Sequence, residues 1–168
     1  MLILACVSLS GGQGKTTTSI FLGRTIAGGG HRVLMIDADP QSSLTFYLGH
    51  EVQPNQPTRL EVLKKQVPVE DGIYEAGKNL WLIPSDDALD NAQDFLSGSG
   101  MGAVVLGKRL KEVADLFSVC IIRHLRKCSK AFIDRLLAGQ MPPTSFNAFN
   151  DFIRITDGLR AKFRKILA

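Results

Sequence analysis

The sequence predicts an α/β fold, a mostly parallel twisted sheet with helices on both faces. Three observations carry this prediction. Short apolar runs, "LILACVS" (2–8), "RVLMID" (32–37), "NLWLIPS" (79–85) and "SVCII" (118–122), alternate with longer stretches of helical periodicity. A strand, a glycine-rich loop, a helix and a second strand follow one another within the first 37 residues. That is a βαβ unit, whose crossover makes the strands parallel and right-handed. Finally, 168 residues with 45% hydrophobic content suffice for one domain with a real core.

Taken in order, residues 2–8 read as a strand buried on both faces, a continuous apolar run closed by glycine. No basic segment precedes it, so an export signal is not expected. "TTTSIFLGRTIA" (16–27) has helical spacing, with Ile20, Phe21, Ile26 and Ala27 on an apolar side, and Gly28-Gly29-Gly30 stops it. Residues 42–49 start a short helix capped by Ser42 or Ser43, and "HEVQPNQPT" (50–58) is a Pro-rich loop. "TRLEVLKKQV" (58–67) is a short helix with Thr58 as N-cap. "DDALDNAQDFL" (86–96) is a helix with acidic residues where the dipole favours them. "SGSGMG" (97–102) is a break, and "AVVLGKRLKEVADLF" (103–117) is amphipathic. Beyond residue 122 the alternation stops. "KCSKAFIDRLLAG" (127–139) and "NAFNDFIRITDGLRAKFRKILA" (147–168) read as helices, the second presenting Arg154, Arg160, Lys162, Arg164 and Lys165 outward.

Charge is uneven. Residues 1–108 hold 8 Lys+Arg against 11 Asp+Glu, a net of −3; residues 109–168 hold 12 against 5, a net of +7. A basic C-terminal third suggests a polyanion contact, although such charges also solvate helix faces. Cys6, Cys120 and Cys128 are odd in number and lack metal-ligand spacing; Cys6 and Cys120 lie in strand-like runs, which suits a reducing cytoplasm. No apolar run approaches the ~18 residues of a membrane span.

The chemistry concentrates in "LSGGQGKTTT" (9–18). Glycines let a backbone wrap a polyphosphate without Cβ clashes, and the helix that follows aims its N–H groups at the anion. Gly11, Gly12, Gln13 and Gly14 would form the cradle, Lys15 would bridge β- and γ-phosphate oxygens, Thr16 would bind Mg²⁺, and Thr17 would reach the α-phosphate. A G-x-G-x-x-G dinucleotide loop does not fit, because Lys15, Thr16 and Thr17 follow Gly14. The second constellation is "MIDADPQ" (35–41), whose Asp37 and Asp39 fall at the C-terminal edge of the sheet, where ligands of such folds bind. One carboxylate would help hold Mg²⁺ and the other would orient an attacking water; acids at a strand end also simply cap the next helix.

With these residues in view, "SGGQGKTTT" (10–18) and "RVLMIDADPQSSLT" (32–45) resemble the ParA/MinD group of deviant-Walker P-loop ATPases, with their KGGxGKT loop and D-x-D-P-Q strand end. The likeness extends through "LIPSDDALDNAQDFL" (82–96) and "LKEVADLFSVCII" (110–122), and "IRHLRKCSKAFIDRLLAGQMP" (122–142) is similar to the group's C-terminal end. The resemblance implies a P-loop NTPase fold and a single ATPase domain over 1–168, with a nucleotide-binding part at 1–122 and a basic helical part at 123–168. It implies an ATP- and Mg²⁺-dependent sandwich homodimer. It also implies non-specific binding to nucleoid DNA, cytoplasmic residence, no membrane contact, and a small adaptor protein, linked to a cargo, that stimulates hydrolysis. By matching positions, Lys15 and Asp39 would be catalytic, the latter positioning water, and Thr16 and Asp37 would be the metal ligands.

Two departures stand out. Ser10 occupies the position of the group's signature lysine, which reaches the partner's nucleotide. This points to a branch that spaces carboxysomes along the nucleoid, with a plasmid or chromosome partition protein as the alternative. And "VCII" runs into "RHLRK" where the group has an acidic D-x-P-P motif and a further middle portion. This leaves room for a second alternative, a hydrolysis-deficient nucleotide-binding interaction module. A junction between two separate segments here would show as a Cα–Cα separation well above ~3.8 Å near residues 121–124.

Overall fold

A computed structural model of the chain describes residues 1–6, 12–39, 41–64, 66–85 and 101–124. Ser10 and Gly11, the expected helices at 86–96, 127–139 and 147–168, and the basic residues Arg154, Arg160, Lys162, Arg164 and Lys165 lie outside the described residues.

Among the described residues, five strands form one sheet: β1 (Leu2–Cys6), β2 (Val33–Ala38), β3 (Tyr74–Gly77), β4 (Leu80–Ile83) and β5 (Val119–His124), in the order β1-β5-β2-β4-β3. β1, β5, β2 and β4 are mutually parallel, and β3 pairs antiparallel with β4. The fold is therefore the mostly parallel α/β sheet that the apolar runs predict. β3 is a strand that the sequence reading does not anticipate. Its pattern is half-buried and exposed in alternation, without an apolar run to mark it. It is joined to β4 by a tight turn in which Gly77 (φ 149°) and Asn79 (φ 58°) take positive φ.

Among the described residues the helices are α1 (Lys15–Gly28), α2 (Ser43–Tyr47), α3 (Arg59–Leu63) and α4 (Met101–Glu112), with a 3₁₀ turn at Glu70–Gly72. β2 lies at the centre and all six of its residues are buried, which is why it reads as unbroken apolar sequence up to Asp37. Its side chains alternate between two cores. Val33 and Met35 pack with Ile26, Ala27 and Leu44 on the α1/α2 face, and Leu34 and Ile36 pack with Val62, Leu63, Leu106 and Leu110 on the α3/α4 face. In β5, Val119 and Ile121 join the first core, and Cys120 and Ile122 the second.

Three details differ from the sequence reading. On α1, Ile26 and Ala27 are buried as expected, but Ile20 is half-buried and Phe21 is exposed. The inward residues are instead Lys15, Ser19, Gly23, Ile26 and Ala27. Small residues at 19 and 23 bring the helix close to β2; a Cβ on Gly23 would stand 2.7 Å from Met35 Sδ. α4 starts at Met101, inside the expected break, and ends at Glu112, because residues 113–116 form a turn. β5 continues past Ile122 to His124, with Arg123 in register opposite both Cys6 and Asp37. The expected N-cap of α3 is present as a full capping box. Leu60 N–H donates to Thr58 Oγ1 (3.3 Å), and Thr58 N–H donates to Glu61 Oε2 (2.8 Å). Ser42 stands at the N-cap of α2 but makes no side-chain cap bond there.

Candidate functional site

The site sits at the C-terminal ends of β1, β5 and β2, where helix α1 begins. Strand geometry assembles it. Side chains two residues apart share a face, so Asp37 follows Val33 and Met35, and Arg123 follows Val119 and Ile121, onto the α1/α2 face. Asp37 and Arg123 are register partners on neighbouring strands, and this sets a carboxylate and a guanidinium side by side.

Of the residues in the glycine-rich loop, Gly12, Gln13 and Gly14 are exposed, and Gly12 (φ 69°) and Gly14 (φ 72°) both adopt the left-handed conformation. Only glycine takes it freely, so the chain can turn tightly into α1. Gly14 is the N-cap of that helix, and Thr18 N–H donates to its carbonyl (2.8 Å). Lys15, the first residue of α1, is 6% exposed. Ser19 Oγ donates to the Lys15 carbonyl one turn on (2.8 Å). Thr16 is half-buried and Thr17 exposed.

The two carboxylates are buried, Asp37 at 0% and Asp39 at 3% exposure. Asp37 Oδ2 accepts from Thr45 N–H (2.9 Å) and Thr45 Oγ1 (3.0 Å), and Oδ1 accepts from Asp39 N–H (3.3 Å). Asp37 thus caps the start of α2, as acids at a strand end often do. Thr45 Oγ1 in turn accepts from Ser85 N–H (3.0 Å). Asp39 Oδ1 accepts from Gln41 N–H (3.1 Å). Burial pushes the Asp37 carboxyl above its usual range, against the hydrogen bonds from Thr45 and the charge of Arg123.

The residue that sequence reasoning missed is Arg123. Its Nη1 forms ion pairs with Asp39 and with Asp37 Oδ1 (3.6 Å), and its Nε donates to Thr16 Oγ1 (3.2 Å). Arg123 is 6% exposed. The structure therefore does bring Thr16, Asp37 and Asp39 together, and it gathers them around a guanidinium. The signal was present: a cation directly after the apolar "VCII", at a strand end where its neighbours carry acids.

For a nucleoside triphosphate, the loop offers backbone turned by two left-handed glycines, a helix N-terminus and a buried ammonium. This is a donor set that fits phosphate. For a divalent cation, the hydroxyl of Thr16 and the two carboxylates are the right hard oxygens, but a fixed positive charge already lies among them. Among the described residues, no three His, Cys, Asp or Glu side chains converge as a separate metal site.

This combination, a mostly parallel sheet with a glycine-lysine-threonine turn into α1 beside two strand-end aspartates, defines a P-loop NTPase fold. A family model described as an AAA domain matches residues 1–126, and the chain belongs to that family, in its ParA/MinD-like branch. Over 122 residues it is 62% identical to the maintenance of carboxysome distribution protein A of Synechococcus elongatus, covering 73% of this chain and 48% of that protein. Among solved structures it is similar to an McdA–ATP complex from Cyanothece, with TM-score 0.71 and 51% identity over 83% of this chain and 53% of that one. It is also similar to cobyrinic acid a,c-diamide synthase from Mycobacterium smegmatis with a bound ATP analogue and magnesium, with TM-score 0.67 and 31% identity over 73% and 50% of the two chains. The chain spans about half the length of the curated relatives it matches. Among the described residues, no helix is long and apolar enough to cross a membrane.

Proposed function

We propose that the chain is a ParA-type nucleotide switch of the kind that distributes carboxysomes. ATP, with Mg²⁺, would seat on the loop before α1, two copies would close over the nucleotides, and the closed form would hold nucleoid DNA until an adaptor protein linked to the cargo triggers release. The observation that carries this reading is the buried Lys15 at the mouth of α1, directly after the left-handed Gly12 and Gly14. The 62% identity to a carboxysome distribution protein supports the cargo class.

In this reading Ser10, Gly11, Gly12, Gln13 and Gly14 wrap the phosphates, Lys15 neutralises them, and Thr17 reaches the α-phosphate. Thr16 and Asp37 are the oxygen donors for the metal, which when bound would neutralise phosphate charge, and Asp39 orients the attacking water. The expected outcomes are that Lys15→Ala abolishes ATP-dependent dimerisation, and that Asp39→Ala keeps dimerisation and loses turnover. Size-exclusion chromatography with ATP and a phosphate-release assay check them. A Lys15→Ala protein that still dimerises with ATP contradicts the reading.

One observation favours a second reading, a nucleotide-binding interaction module without efficient hydrolysis. The ion pair of Arg123 with Asp39 engages the carboxylate meant to orient water. In that case wild-type protein binds ATP and dimerises but releases no more phosphate than Asp39→Ala, with or without DNA.

A further inference from the structure

We propose that Arg123 is a tethered cation competing with divalent metal for the oxygens of Thr16, Asp37 and Asp39. It holds them in the nucleotide-free chain, and magnesium gains them only by expelling the guanidinium. The ATP side of this inference rests on the nucleotide reading above; the metal side does not.

The argument is one of space, valence and charge. Each of the three side chains that a metal at this position would use has one oxygen facing Arg123. Thr16 Oγ1 accepts from Nε at 3.2 Å, Asp39 is ion-paired to Nη1, and Asp37 Oδ1 lies 3.6 Å from the same nitrogen. The remaining oxygen of Asp37, Oδ2, is taken by both donors of Thr45. A magnesium ion needs near-octahedral oxygens at about 2.0–2.1 Å and gives up its waters reluctantly. It cannot share these ligands with a buried positive charge. The guanidinium is not easily moved either, since residue 123 is fixed by β-pairing on both sides, to Cys6 and to Asp37.

Two consequences follow for a chain whose site carries its own cation. Magnesium alone should not stabilise it. ATP binding should also depend little on magnesium, because one positive charge is already present beside the phosphate loop. A purely structural ion pair, remote from any metal position, also leaves the wild type indifferent to magnesium, but it does not predict that removing Arg123 confers a magnesium response.

The test uses the full chain in two arms. In the first, nucleotide-free protein is melted with magnesium chloride and with EDTA. Wild type is expected to show the same Tm in both, and Arg123→Ala and Arg123→Gln are expected to melt higher with magnesium, which then binds the freed oxygens of the native state. In the second, ATP is titrated calorimetrically. Wild-type affinity is expected to change less than about threefold between magnesium and EDTA, and Arg123→Ala to lose about tenfold or more in EDTA, the scale of one unscreened charge contact. Arg123→Lys, which keeps a cation, should remain magnesium-insensitive.

A wild-type Tm raised by magnesium, or wild-type ATP binding that weakens tenfold in EDTA, overturns the proposal without any variant having to fold. If no form binds ATP, the nucleotide reading fails. The competition is then upheld by a magnesium-stabilised Arg123→Ala beside an indifferent wild type, and overturned if both respond alike.

Discussion

At the scale of single residues, the site is governed by the cost of burying charge. Asp37 and Asp39 are almost wholly buried, and two carboxylates without compensation would be expensive there. Arg123 supplies that compensation. In metal-free buffer Arg123→Ala is therefore expected to cost about 3–5 kcal/mol, the usual result of removing one partner from a buried ion pair. A urea titration measures this, and a loss below about 1 kcal/mol, the range of exposed pairs, would place the guanidinium effectively in water. The place of Asp37 at the sheet edge was legible from its position at the end of a buried strand. Its role as the cap of α2 through Thr45 was weighed there only as a generic alternative, because the contact spans the turn between the two elements. Gly23 carries a second residue-scale prediction. Valine there would push its Cβ to 2.7 Å from Met35 Sδ, in a core where Met35 is 0% exposed. The small gain in helix propensity, a few tenths of a kcal/mol, is outweighed by overpacking of about 1–3 kcal/mol. Thermal melting should show a net loss, and an unchanged Tm would mean that α1 can stand off the sheet.

At the scale of elements, α3 shows how a five-residue helix persists. Too short to hold by propensity, it is closed at its start by the Thr58–Glu61 capping box and pinned near its end by Arg109 of α4. Arg109 Nε donates to the Val62 carbonyl (3.1 Å), Nη2 donates to the Val67 carbonyl (2.5 Å), and Nη1 pairs with Glu112 (2.6 Å). Thr58→Ala is expected to cost about 1 kcal/mol, read from the midpoint of chemical unfolding. The same box gives a pH signature. Burial raises the Glu61 carboxyl, but the hydrogen bonds from Thr58 outweigh it and leave the pKa below the ordinary 4.5. Because the folded pKa is the lower one, this contribution is fully present above pH 4.5 and disappears as pH falls through the folded value. Glu61→Gln should thus be less stable than wild type at neutral pH and converge with it in acid; a gap that persists at low pH would assign the effect to packing.

At the scale of the whole molecule, the charge asymmetry is smaller than its formal count. Residues 109–168 carry a net of +7, but Arg123 belongs to that count and is buried and ion-paired to Asp37 and Asp39 outside the segment, which leaves +6, while buried Arg109 is already balanced by Glu112 within it. A polyanion contact must therefore rest on the other basic residues, chiefly Arg160, Lys162, Arg164 and Lys165. Neutralising those four is expected to abolish non-specific DNA binding at low salt. In the unaltered chain, the logarithm of the affinity should fall linearly with the logarithm of salt concentration. A filter-binding series checks both, and binding by the neutralised chain equal to the original would move the contact elsewhere.

Four features could be read along the chain alone: the parallel sheet, the helix after the glycine-rich loop, the α3 cap and the aspartates at the sheet edge. Each of these is written in local patterning: apolar runs, glycines before a Gly-Lys-Thr turn, a Thr three residues ahead of a Glu. Three others emerge from packing in three dimensions: β3 adds an antiparallel edge, α1 packs through Ser19 and Gly23 rather than Phe21, and Arg123 faces Thr16, Asp37 and Asp39. These depend on strand register and on the distance between elements. Register is what places residue 123 opposite residue 37 across 86 positions of chain, and no local pattern encodes a pairing at that separation.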